Sequence, residues 1–221
     1  MAEGIEEYLD ALTELYRALH AETNCRVIID STKAPSHSYL LGAAEGVDLY
    51  VVHLVRDARA VAYSWDRKVV HYKDSENQVH MDRFSSVRSA LKWAYANLSV
   101  DLLRKSVGRR ILTVRYEDFV ADPRGTVSRI ARLVDEDNNT TPLVSERQVR
   151  LDTTHTVWGN PSRLKTGLVE LRLDSEWQKK MSARKRAVVT GITWPLLRKY
   201  AYLGTDAAPS TGVRERWAGS R

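Results

Sequence analysis

A single cysteine, Cys25, stands in a chain of 221 residues. It excludes an intrachain disulfide, so the fold needs no oxidising compartment. Cys25 itself reads as a small residue in or beside a strand rather than a reactive thiol. No apolar run approaches the roughly 18 residues of a membrane span. The acidic start Met1-Ala2-Glu3-Gly4 leads into an amphipathic pattern, not a signal peptide. These absences together predict a cytoplasmic protein. The six histidines are scattered, and no pair sits in HExxH or CxxC context, which argues against a metal site. There is no GxSxG nucleophile elbow and no GxxxxGK[ST] phosphate loop.

Hydrophobic residues make up 43% and charged residues 28%, which places the chain among soluble globular proteins. The formal net charge is +6, favouring anionic ligands in general. The basic residues are dispersed, with short clusters such as Arg109-Arg110 and Arg184-Lys185-Arg186. A uniform solubilising surface explains them, and nucleic acid is not expected as a partner.

The most informative stretch is Val51-Val52-His53-Leu54-Val55-Arg56-Asp57. An apolar run ends abruptly in charge, and a helical pattern follows to about His71. This is the form of a buried strand delivering polar side chains to the C-terminal edge of a sheet, where open α/β sheets bind ligands. Arg26–Asp30 and Arg110–Val114 read as two further strands. Ile5, Leu9, Leu12, Leu15, Tyr16 and Leu19 mark the buried stripe of a first helix. The longest helix is expected from about Asp82 to Ser106, burying Phe84, Val87, Leu91, Ala94, Leu98 and Leu102. Lys73–His80 reads as an exposed loop. A last helix covers roughly Ser182 to Tyr200. Strands separated by helices predict a parallel sheet in an α/β fold, although three strands are few for this length. One domain, residues 1–204, is expected, followed by a flexible tail over 205–221.

Four groups carry candidate chemistry. Arg56 offers a cationic fork and Ser64 a hydroxyl near a helix start, both suited to a phosphate. The competing reading is a helix cap with surface arginines. Asp30, Lys33 and His37 follow a strand. Lys33 suits a charge on a transferred group, and Asp30 or His37 suits a general base, against a turn with an Asx cap and an ordinary helix-face histidine. His155 to Gly167 is a glycine- and proline-shaped loop in which Arg163 and Lys165 reach for negative charge and Trp158 offers a flat stacking face. A solvated basic loop with Trp158 tucked into the core explains it equally. Arg115-Tyr116-Glu117-Asp118 reads best as internal pairing that fixes the next helix.

With these groups in view, the chain resembles the PAPS-dependent sulfotransferase family in its carbohydrate-type and bacterial branches. His53-Leu54-Val55-Arg56-Asp57-Ala58-Arg59-Ala60-Val61-Ala62-Tyr63-Ser64 resembles the segment whose Arg and Ser bind the 3'-phosphate of the nucleotide. Asp30-Ser31-Thr32-Lys33 is similar to the family's Asp-Ser-Ser-Lys, and Arg115-Tyr116-Glu117-Asp118 to its Arg-Tyr-Glu-Asp-Leu segment. Gly159-Asn160-Pro161-Ser162-Arg163 and Asp174-Ser175-Glu176-Trp177 resemble the late nucleotide loop and the Asp-x-x-Trp after it. The family's opening strand and Gly-Arg-Ser-Gly-Thr-type loop, which bind the 5'-phosphosulfate, have no counterpart here.

The resemblance implies a three-layer parallel sheet of the P-loop nucleotide hydrolase-like kind, truncated at its N-terminus. It implies transfer of a sulfuryl group from PAPS to a hydroxyl or amine of a small molecule or carbohydrate, without a metal. Asp30 or His37 would act as base, with Lys33 stabilising charge. Arg56, Ser64, Arg163 and Lys165 would hold the nucleotide. The alternative is an inactive remnant that binds a phosphonucleotide or a partner protein. Sheet surface left open by the missing unit predicts self-association or a partner chain.

Overall fold

The structure, a computed structural model, describes residues 2–32, 34–67, 70–73, 78–80, 83–107, 110–136, 142–152 and 165–204. Helix α1 (Ala2–Thr23) leads through an extended segment to α2 (Pro35–Leu41), strand β1 (Val51–Val55) and helix α3 (Ala58–Asp66). A hairpin of β2 (Val70–Lys73) and β3 (Gln78–His80) precedes the long α4 (Ser86–Val107). Then follow β4 (Ile111–Arg115), α5 (Tyr116–Ala121), α6 (Pro123–Leu133), a second antiparallel pair of β5 (Gln148–Leu151) and β6 (Gly167–Glu170), α7 (Glu176–Lys180) and α8 (Ala183–Lys199).

The α/β character rests on β1 and β4, which pair in parallel with Val51 opposite Ile111 and Val55 opposite Arg115. Both are short and rich in β-branched residues. Alternation sends His53 and Val55 into the core and leaves Val52 and Leu54 exposed. The parallel link between them is made by α3, the hairpin and α4, as a crossover requires.

The core lies where α3, α4 and α8 meet. Ala58, Ala62 and Ala90 are fully buried, and such small side chains let helices approach closely around Trp93, Val189 and Leu197. Sequence-coded caps fix where α3 and α6 start. The Asp57 carboxylate accepts from the Arg59 amide at 2.8 Å, and Asp122, ahead of Pro123, accepts from the Gly125 amide at 2.8 Å.

Several sequence expectations change. Arg26–Asp30 joins no strand ladder among the described residues, and Ile29 is 89% exposed. No described strand lies beside it to take its backbone hydrogen bonds. The α1 stripe is not buried either: Ile5, Leu15 and Leu19 face solvent, and polar contacts made by Tyr8 and Tyr16 tie the helix to the chain. The helix after β1 ends at Asp66, and part of the expected Lys73–His80 loop is strand β3. The face of α4 is inverted. Ser89, Ala90, Trp93, Asn97, Val100 and Leu103 are buried, whereas Val87, Leu91, Leu98 and Leu102 are exposed. A helix with apolar residues on two sides lets periodicity find the helix but not choose its inner face.

Candidate active site

Two clusters sit at the ends of sequence segments that carry charge. The first lies at the C-terminal edge of the parallel pair. The chain leaves β1 at Arg56, and its backbone carbonyl accepts from the Trp93 indole at 3.0 Å. Its guanidinium lies over the Tyr116 ring, 4.9 Å from the centroid, and donates from Nη2 to Asp174 Oδ2 at 3.0 Å. Arg67 approaches the same carboxylate at 3.9 Å and pairs with Glu176 at 3.1 Å. Two guanidinium groups therefore converge on one carboxylate. The Nε atoms of both Arg56 and Arg67 are buried without a partner. Burial opposes ionisation of Asp174, but hydrogen bonds and charge from Arg56, with Arg67, hold its carboxyl below the ordinary range.

Around this pair the side chains engage one another, with Arg115 Nε and Nη2 and Asp118 Oδ1 left buried without a hydrogen-bond partner. Arg59 forks onto Asp57 with contacts of 2.6 and 2.9 Å and lies 4.8 Å over the Trp177 ring. The Tyr202 hydroxyl donates to Glu117 Oε2 at 2.5 Å and lies 3.1 Å from the Val55 carbonyl. Burial, followed by the charge of Glu117, pushes the Tyr202 hydroxyl far above its ordinary value, so it stays a donor. Arg115 is buried over the Tyr202 ring, with Asp118 at 3.9 Å. Arg115, Glu117 and Asp118 thus pair internally and brace the sheet edge.

The second cluster gathers on the turn after Arg26–Asp30. Asp30 Oδ1 accepts from the Thr32 amide at 2.6 Å, which makes an Asx turn. Its Oδ2 accepts from the Tyr16 hydroxyl at 2.6 Å and meets His37 Nε2 at 2.9 Å. A carboxylate only accepts, so Nε2 carries the proton. In neutral His37 the other nitrogen, Nδ1, is then an acceptor, and the Tyr8 hydroxyl donates to it at 3.2 Å. Burial raises the pKa of Asp30, but the hydrogen bonds from Tyr16, Thr32 and His37 outweigh it and keep the carboxyl well below its usual range. Burial and then Asp30 drive the Tyr16 hydroxyl upward. The arrangement is a carboxylate holding an imidazole in one tautomer, the logic by which a histidine is made a directed base.

The structure brings Asp30 and His37 together, although nothing in the sequence pairs them. It brings Arg56 to Asp174, whereas Ser64 is half-buried in α3 with no hydrogen-bond partner among the described residues. Lys165 is exposed. Lys33 and Arg163 lie outside the described residues, as does Trp158. Sequence reasoning passed over Arg67, Tyr8 and Tyr16. Arg67 carries no motif, and the tyrosines read as parts of a helical face.

Among the described residues no group of three His, Cys, Asp or Glu side chains is arranged to hold a metal, and no helix is long and apolar enough to cross a membrane. No curated protein matches the chain. No solved structure matches it. A sequence model described as the Sulfotransferase family matches residues 2–139, more than half of the chain. That span includes both clusters except for Asp174, Glu176, Trp177 and Tyr202, and on it we conclude that the chain belongs to the Sulfotransferase family.

Proposed function

We propose that this protein transfers a sulfuryl group from PAPS to a hydroxyl or amine of a small molecule or carbohydrate in the cytoplasm. The reading takes the three-layer, P-loop-like sheet of the family as its fold. The observation that carries it is the convergence of Arg56 and Arg67 on one carboxylate at the end of β1. Two guanidinium groups with buried, unpartnered Nε atoms form an anion-ready corner, and the residues fit a phosphate. Family membership supports a PAPS-type donor.

PAPS supplies the sulfuryl group and takes up the charge of the broken S–O bond as PAP. Arg56, helped by Arg67 and the Ser64 hydroxyl, binds the 3'-phosphate once Asp174 moves aside. Arg163 and Lys165 add positive charge around the nucleotide. His37 Nδ1 accepts the proton from the acceptor as its oxygen or nitrogen bonds to sulfur, and Asp30 orients the ring and stabilises the imidazolium. The Tyr8 hydroxyl, donating to Nδ1, occupies the place such an acceptor would take. Lys33 balances charge on the transferred group.

The test is incubation of the full chain with PAPS and a panel of alcohols, phenols, amines and sugars, with PAP formation followed by chromatography. Acceptor-dependent PAP release that is lost in Arg56→Ala and His37→Ala is expected. A folded protein that neither binds PAP in calorimetry nor turns over with any acceptor would overturn the reading.

A further inference from the structure

The exposed face of α4 is unlike the rest of the surface. Leu91 (56%), Tyr95 (70%), Leu98 (51%) and Leu102 (57%) stand outward in one line, continued by Val87 (46%). Their intervals from Leu91 are four, three and four, the heptad seam along which helices pack side by side. The opposite face of the same helix is already buried against the core through Trp93, Asn97 and Leu103. The seam is thus a second apolar face that the described residues leave uncovered.

We infer that this seam pairs antiparallel with the α4 seam of a second copy of the chain, making a two-fold dimer. The 4-3-4 spacing reads the same in both directions. Turned about a two-fold axis, Leu91 meets Leu102 of the second copy and Tyr95 meets its Leu98, so all four positions are matched at once. That is the self-complementarity an isologous contact requires. Uncharged Ala94 and Ser99 flank the seam. The charged flanking residues are engaged within the chain: Lys92 lies 4.0 Å from the centre of the Phe84 ring, and Asp101 pairs with Lys199. Between Leu91 and Leu102, therefore, an apolar partner face meets no unpaired charge.

The area also fits. Five large side chains about half exposed present on the order of 500 Å², taking ~150–250 Å² for the largest type. That is the upper range of single patches on monomers, about 300–600 Å². A stable dimer buries about 800 Å² on each partner. Tyr39 of α2, whose hydroxyl donates to the Ser99 carbonyl at 2.8 Å, extends the apolar surface beside the seam toward that figure. Arg88 and Lys105 bound the seam, and the two-fold sets Arg88 against Lys105 of the second copy. Like charges at both ends make the dimer tighten, not loosen, with added salt.

Sedimentation of the full chain across a concentration series tests this. The expected result is a monomer–dimer equilibrium that tightens with salt. Leu91→Glu with Leu98→Glu should raise the dissociation constant more than about thirtyfold, a hot-spot loss. Leu54→Glu, on the exposed sheet face, should leave it unchanged. Circular dichroism checks that the variants fold, which their exposed helix positions favour. In a Cys25→Ser background, Tyr95→Cys with Leu98→Cys should form an intermolecular disulfide on mild oxidation. A monomer at every concentration overturns the proposal. So does a dimer that resists the α4 substitutions or dissociates with Leu54→Glu. Crosslinking through Tyr95→Cys alone, as efficient as through the pair, overturns the antiparallel arrangement.

Discussion

Arg56 donates to Asp174 across 118 residues of sequence, at 3.0 Å, and so the corner of β1 proposed to take a phosphate is already filled by a carboxylate of the same chain. A phosphate ligand must displace that carboxylate before it reaches the guanidinium. The pair is partly exposed, and such pairs contribute about 0–1 kcal/mol. Asp174→Asn should therefore tighten PAP binding by up to about fivefold. Arg56→Ala should weaken it by about 2–4 kcal/mol, as for a charged hydrogen-bond partner lost from a desolvated site. Isothermal calorimetry with PAP reads both. Weaker PAP binding in Asp174→Asn than in wild type would mean that the carboxylate does not compete with the ligand for Arg56.

The Asp30–His37 pair yields a prediction in which three substitutions differ. Asp30→Asn turns an acceptor into an amide that can donate to Nε2 and so reverses the tautomer. It should lower kcat by orders of magnitude, up to about 10⁴ in the known case of such a swap. His37→Ala should cost about 10²–10⁴, the usual contribution of a general base. Tyr8→Phe removes only the hydroxyl that covers Nδ1 and should leave kcat unchanged or raised. Steady-state kinetics with one competent acceptor separates these. A Tyr8→Phe loss as deep as that of His37→Ala would assign the proton transfer to the tyrosine instead.

How much of this was legible depended on whether the partners were near in sequence. β1, the Asp57 cap and α3 form one continuous segment, so an apolar run ending in charge and followed by a helical pattern announced them. The Asp30–His37 contact is held by Tyr8 and Tyr16 from a helix whose apolar positions suggested only packing. Arg26–Asp30 has strand composition, but a strand also needs a neighbour, and none lies beside it among the described residues. In α4 both faces are apolar, so local pattern could not tell that Leu98 faces out while Asn97 faces in. Asn97 is satisfied in the core by His53 at 3.0 Å and by donation to the Trp93 carbonyl at 2.7 Å.

His53 sets a stability threshold near neutrality. Burial, opposed by the hydrogen bond to Asn97, holds its pKa below the ordinary value, and its Nδ1 is buried without a partner. Above about pH 6.5 the ring is neutral in both folded and unfolded chains and contributes no pH dependence. Below that value the unfolded chain takes up a proton that the folded one refuses. Stability then falls as pH drops toward the folded pKa, with a slope from this residue of at most about 1.4 kcal/mol per pH unit. Asp30 and Asp174, both lowered, act in a separate interval. Their contribution is complete above the unfolded carboxylate value near 4 and is lost as pH falls below it. Urea unfolding at half-unit steps from pH 8 to 4 should show the first slope, and His53→Gln should flatten it. An unchanged slope in the variant would place its origin elsewhere.

The end of α8 offers the cleanest test of backbone strain. Tyr202 donates its amide to the Leu197 carbonyl at 2.7 Å, and Ala201 donates to Arg198 at 3.1 Å, the two bonds of a Schellman cap. Ala201 sits at the position where such caps favour glycine, with φ of 57°. An alanine held there costs about 1–2 kcal/mol, partly offset because glycine leaves the unfolded chain freer by about 0.4–1 kcal/mol. Ala201→Gly should thus stabilise the fold by roughly 0.5–1 kcal/mol, a rise in Tm of about 1–4 °C for a chain of this size. Ala201→Val should destabilise it, because a β-branched residue tolerates positive φ least. The cap also delivers Tyr202 to Glu117, whose other oxygen lies 3.4 Å from the Asp57 amide beside Arg56. Glycine keeps the cap geometry, so PAP affinity should not change while Tm rises. A fall in Tm for Ala201→Gly would show that the left-handed residue is not strained, and a loss of PAP affinity would show that the cap steers Arg56 through Glu117.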